Sequence, residues 1–153
     1  MSSVSRLNIV TDFSPACCDG APFLPEYIME QAPKEIKNLI PDAEWSAAMR
    51  HLQTITLEES VNLCTQVSLP LCFGILGALC CILCIQSKQS RLAQRIQFAI
   101  KDINSQVFTP RGMYAALKIT DFGGSCTSKS YMLVIALTPE ESKTLQSEYG
   151  IIH

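Results

Sequence analysis

Cysteine is the residue type in this chain with the widest chemistry, and five of its eight copies fall inside one uncharged stretch. No Asp, Glu, Lys or Arg occurs between Glu59 and Lys88, and Cys64, Cys72, Cys80, Cys81 and Cys84 all lie in that gap. Thiols can ligate zinc, exchange disulfides, attack as nucleophiles or carry an acyl chain. Zinc is disfavoured. Cys81-Ile-Leu-Cys84 has the two-residue gap, but its interior is apolar, and Cys64 and Cys72 would have to converge on it as the second pair. Redox chemistry lacks an evident charge or helix start to lower a thiol pKa. Covalent catalysis lacks a histidine that pairs with a cysteine, since His51 and His153 have no partner at useful spacing.

Acylation fits the residues better. Thiols in an apolar segment that abuts Lys88, Arg91 and Arg95 stand where membrane-proximal S-palmitoylation occurs. An attached chain adds about 0.8 kcal/mol per buried CH2, so one chain plus the segment would slow release from a membrane. The three cations would meet anionic headgroups at about 1 kcal/mol each. The acyl candidates are Cys72, Cys80, Cys81 and Cys84, and the headgroup contacts are Lys88, Arg91 and Arg95. The plainer alternative is that these cysteines fill a helix as small apolar side chains. Cys17-Cys18, in a loop marked by Pro15, Gly20 and Pro22, reads as two ordinary thiols.

The flanks must position this stretch. Residues 1–60 carry four Lys/Arg against nine Asp/Glu, and residues 86–153 carry eight against five. No basic cluster with interleaved aromatics occurs, so nucleic acid is excluded as a partner. The start, Met-Ser-Ser-Val-Ser-Arg-Leu-Asn, has no signal-peptide order, and the ends lack myristoylation and prenylation motifs. The chain is therefore expected on the cytosolic side, where thiols stay reduced.

Arg6 to Phe13 has the pattern of a short strand with Leu7, Ile9 and Thr11 on one side. Pro33 to Asn38 reads as a helical turn, and Pro41 begins a firmer helix with acidic residues in its first turn. Trp45, Ala48, Met49 and Leu52 share one face of that helix, with Trp45 as packing anchor. Ser90 to Asn104 is amphipathic: Leu92, Ile96, Ala99, Ile100 and Ile103 form its stripe, and Arg91, Arg95, Lys101 and Asp102 lie off it. Pro110 and Gly112 make a turn. Met113–Phe122 and Tyr131–Thr138 then form a hairpin, and the tail reads as frayed helix. The expected fold is α+β, a small antiparallel sheet packed with amphipathic helices, plus a membrane-seated apolar cysteine-rich segment at 64–86, in one domain over 1–153.

Topology turns on that segment. Val67 to Ile85 would make a helix of roughly 28 Å, just under one bilayer core. A single span would put the first strand and the hairpin on opposite sides of the membrane. Neither flank alone is large enough for a comfortable sheet and core. A monotopic or re-entrant segment bent at Pro70, Gly74 and Gly77 is therefore favoured, with protein covering its freed backbone groups.

The order of elements resembles the golgin subfamily A member seven/Erf-type proteins and the related cysteine-rich hydrophobic domain proteins. The resemblance is carried by Asn8-Ile-Val-Thr-Asp-Phe-Ser14, Phe23-Leu-Pro25, the helix around Trp45 and the apolar block ending Ile82-Leu-Cys84. It continues in Asn104-Ser-Gln-Val-Phe-Thr-Pro-Arg-Gly112 and the strand Tyr131-Met-Leu-Val-Ile-Ala-Leu137. The pattern Asn-x-x-Val-x-x-Pro-x-Gly after an amphipathic helix is its most specific part.

This resemblance implies a non-catalytic, cofactor-free partner of an integral-membrane DHHC palmitoyltransferase. It places the chain on the cytosolic face of Golgi or endoplasmic reticulum membranes, in contact with lipid and itself palmitoylated. It puts Cys72 on a lipidated position. The companion position holds Ile75 here, leaving Cys80 and Cys81 as alternatives. The chain itself contains no Asp-His-His-Cys. Two other readings stand beside it: a palmitoylated trafficking protein with no enzyme partner, and a single-span membrane protein of another role.

Overall fold

The computed structural model describes residues 5–11, 24–67, 90–121 and 129–149. Their order is β1 (Arg6–Val10), α1 (Glu26–Glu30), α2 (Asp42–Val67), α3 (90–103), β2 (Tyr114–Asp121), β3 (Lys129–Ala136) and α4 (Pro139–Tyr149). The fold is α+β: among the described residues, a three-stranded antiparallel sheet with four α-helices. Of the apolar cysteine segment expected at 64–86, residues 64–67 end α2 and residues 68–86 lie outside the described residues; none of the described helices is long and apolar enough to cross a membrane.

The sheet runs β1-β3-β2, so the first strand of the chain pairs with the last. Leu7 faces Ile135 and Ile9 faces Leu133 across the β1–β3 ladder, which Thr11 extends by donating both N–H and Oγ1–H to the carbonyl of Tyr131. The odd positions of β1 point to one face, as the alternation predicts: Ile9 and Thr11 are buried, and Leu7 packs against the core.

That face carries the main core. Ala115, Leu117, Tyr131, Leu133 and Ile135 meet the stripe of α3, where Leu92, Ile96, Ala99, Ile100 and Ile103 are all buried. From α2 come Trp45, Ala48, Met49 and Leu52, the face read from the spacing. Trp45 is fully buried, and its indole N–H donates to the Ile28 carbonyl at 2.6 Å, fastening the segment that carries α1. Its ring meets Phe108 edge-on at 6.5 Å between centroids. α2 is also longer than its face suggested: it runs on through Thr56–Asn62 and carries Cys64 in its last turn.

The opposite face of the sheet is covered by α4. Ala116, Val134 and Ala136 pack on Leu145, with Tyr114, Met132 and Tyr149 around them. Arg6 ties β1 to α4 through Glu141, Nε donating at 2.7 Å, and reaches Glu148 at 3.3 Å. These carboxylates raise the Arg6 pKa above its usual value, with the hydrogen bond to Glu141 the largest cause. The tail is thus a packed helix rather than a frayed one. Thr138-Pro-Glu-Glu141 starts it, with Pro139 at the first helical position and the Thr138 hydroxyl accepting the Glu141 N–H at 3.3 Å. Sparse apolar residues hid its packing, because Leu145 alone is fully buried there.

Both flanks of the cysteine segment therefore belong to one body. α2 enters and α3 leaves a shared core, and β1 and the hairpin share a sheet. A chain that crossed a bilayer once between Val67 and residue 90 could not also pair β1 with β3.

Two consequences can be measured. Trp45→Ala should cost about 3–5 kcal/mol through cavity formation and an orphaned carbonyl, read from the urea midpoint; a loss below about 1 kcal/mol would contradict the packing described. Burial pushes the Tyr131 phenol above the usual phenol range near 10. The unfolded chain then releases that proton first, so stability is intact below pH 10 and is lost as pH rises through the raised folded value. Tyr131→Phe should narrow its stability deficit, or gain on the wild type, above pH 10; parallel pH–stability curves would refute the linkage.

Candidate functional site

The residues expected to carry acyl chains, Cys72, Cys80, Cys81 and Cys84, lie outside the described residues, as does Lys88. Arg91 and Arg95 are placed on α3, exposed and off its buried stripe. Arg95 Nη2 stands 3.8 Å from Glu58 Oε2 of α2, and the two side chains are 49% and 58% exposed. So open a pair contributes about 0–1 kcal/mol, no more than a cation gains at an anionic leaflet. His51 is exposed on α2, and no group of three or more metal-ligating side chains exists among the described residues.

The motif Asn104 to Gly112 becomes legible in geometry. α3 widens after residue 103 into a π-helical turn, Asn104–Phe108, followed by a 3-10 turn, Thr109–Arg111. Asn104 is buried, and its carboxamide grips β2: Oδ1 accepts the Ala115 N–H and Nδ2 donates to the Ala115 carbonyl, both at 2.8 Å. Phe108, four residues on, reaches Trp45 of α2. Arg111 donates to the Val107 carbonyl at 2.7 Å and to Glu44 Oε2 of α2 at 2.8 Å.

Gly112 closes the corner with φ 73°, a left-handed conformation that side chains resist. A Cβ there would stand 3.2 Å from Cγ of Pro139, the first residue of α4. The Gly112 carbonyl also accepts from Ser142 Oγ of α4 at 2.8 Å. Within nine residues the chain thus secures α2, α3, β2 and α4 to one another. The groups named here are spent on structure, and the corner assembles no nucleophile with a base. Among the described residues, no buried side-chain nitrogen or oxygen is left without a partner. The spacing singled out this motif, but its role as a clamp depends on contacts to Ala115, Glu44 and Pro139 that no local pattern encodes.

Set against protein-family models, curated proteins and solved structures, the chain matches none.

Asn104→Ala strands both the N–H and the C=O of Ala115 in a buried edge, at about 1–3 kcal/mol per orphaned group. A total loss of about 2–4 kcal/mol is expected in chemical denaturation, and a loss under about 0.5 kcal/mol would mean the carboxamide is not a clamp. Gly112→Ala should cost at least about 1–2 kcal/mol from backbone strain, with the Pro139 contact adding to it.

Proposed function

We propose that the chain is a non-catalytic accessory subunit of an integral-membrane DHHC protein S-acyltransferase, itself acylated in the segment from Cys64 to Cys84. It would occupy the cytosolic face of Golgi or endoplasmic reticulum membranes as a monotopic or re-entrant protein. The observation that carries this reading is the convergence of those residues carrying the resemblance that the structure describes. Asn8 lies on β1, Trp45 anchors α2 against Phe108, Asn104 clamps β2, and Tyr131 and Leu133 sit in the core face of β3. Scattered along the sequence, they belong to one folded body, with the thiol-rich segment joined to it at both ends.

In mechanism, the body would hold the two ends of that segment together on one side of the bilayer. Acyl chains on Cys72 and on Cys80, Cys81 or Cys84 would seat it in the leaflet. Arg91 and Arg95, with Lys88, would face the headgroups from the start of α3. The enzyme would supply the covering that a segment at membrane depth requires.

Co-expression with individual DHHC enzymes tests the reading. The chain should co-purify with at least one of them and increase that enzyme's autoacylation; absence of both effects across the enzyme set would refute it. Replacing Cys72, Cys80, Cys81 and Cys84 together with Ser should move the protein toward the soluble fraction and remove hydroxylamine-sensitive label. Retained label would shift the acyl sites to Cys64 or to Cys17-Cys18.

A further inference from the structure

Among the described residues β2 is an edge strand, and its register fixes which backbone groups face outward. Thr11 and Leu137 donate to the carbonyls of Tyr131 and Ser5, so the odd positions of β3 face β1 and its even positions face β2. Across the β2–β3 ladder, Tyr114, Ala116 and Lys118 therefore bond to β3, while Ala115, Leu117 and Ile119 present N–H and C=O to the outside. Asn104 already occupies the first outward position, bonding to both backbone groups of Ala115 as a neighbouring strand would. Leu117 and Ile119 continue the row, and among the described residues no side chain or loop backbone bonds to their outward groups.

This edge is not flush with the surface. Its first half, Tyr114 to Leu117, lines a groove of about 680 Å3 bordered by α3 on one side and α4 on the other, and Ile119 follows just beyond it. Phe98 and Lys101 line it from α3, Leu117 from β2, and Gln146 and Tyr149 from α4. Phe98 is 65% exposed, a large aromatic ring turned away from the helix's own buried stripe. Lys101 is the one charged side chain among the described lining residues. A single extended chain laid along β2 would have Phe98 and Lys101 of α3 to one side and Gln146 and Tyr149 of α4 to the other. The lone cation selects an acidic side chain or terminal carboxylate.

We infer that the groove between α3 and α4 takes an extended, acidic peptide segment of a partner protein as a fourth strand, antiparallel or parallel to β2. The peptide backbone bonds to Leu117 and Ile119, an apolar side chain packs on Phe98, and a carboxylate meets Lys101. Strand addition of this kind draws affinity from main-chain hydrogen bonds and specificity from alternate side chains. The inference stands apart from the acyltransferase reading, because it uses neither the cysteines nor the membrane.

The test pans a random-dodecamer display library on the full-length chain and titrates the recovered synthetic peptide by fluorescence anisotropy. Ile119→Pro removes an outward N–H without touching the β2–β3 ladder, a substitution edge strands tolerate. It should weaken binding by about tenfold or more. Val10→Pro does the same to the far edge at β1 and should leave binding unchanged. Lys101→Glu, on an exposed helix surface, should weaken binding by about threefold, and an acid-to-lysine swap in the peptide should restore it. Amide exchange at Leu117 and Ile119 should slow when peptide is added. Failure to recover any peptide, equal loss in both proline variants, or unchanged exchange at Leu117 and Ile119 would overturn the inference. So would self-association of the chain through β2 in place of peptide binding.

Discussion

The pairing of β1 with β3 is the constraint on which the rest of the molecule depends. It joins Arg6–Val10 to Lys129–Ala136, elements at opposite ends of the chain, and completes a sheet that the hairpin alone could not make. Its cost is the entropy of closing a long loop, which grows only slowly with length. The return is burial of Leu7, Ile9 and Thr11 beside Leu133 and Ile135, and the anchoring of α4 through Arg6. Everything between the two strands, the thiol-rich segment included, is thereby tethered at both ends to one body.

A second device, the corner from Asn104 to Gly112, distributes that constraint to the helices. A helix stripe can slide or rotate on a sheet while keeping apolar contact. Two 2.8 Å hydrogen bonds from one buried carboxamide to one residue of β2 remove that freedom. Phe108 against Trp45 then fixes α2 relative to α3, and Gly112 lets α4 fold back against the turn. The same arrangement leaves β2 an edge, so the outer positions of the sheet sit recessed between α3 and α4.

Much of the fold was legible where periodicity reports burial directly. The stripe of α3, the Trp45 face of α2, the hairpin and the odd positions of β1 all follow from which residues recur at helical or strand spacing. The tail was legible as a helix but not as a packed one, because Pro139–Tyr149 offers Leu145 as its one fully buried side chain. The full length of α2 was missed because Glu58 and Glu59 break the apolar pattern of a helix whose backbone continues through Val67. The candidate site was legible in a different way. The concentration of thiols beside Lys88, Arg91 and Arg95 is a property of sequence, whereas the Glu58–Arg95 pair between α2 and α3 is a tertiary fact. Likewise Asn104 could be picked out by spacing, but its partner Ala115 could not.

Pairing of β1 with β3 requires both flanks of the apolar cysteine segment to stay on the same side of any membrane that segment enters. Protease digestion of sealed Golgi or endoplasmic reticulum vesicles, with different epitope tags at the two ends of the full-length chain, tests it most directly. Both tags should be degraded while a lumenal marker stays intact. Protection of one tag and loss of the other would place the flanks on opposite sides and contradict the shared sheet.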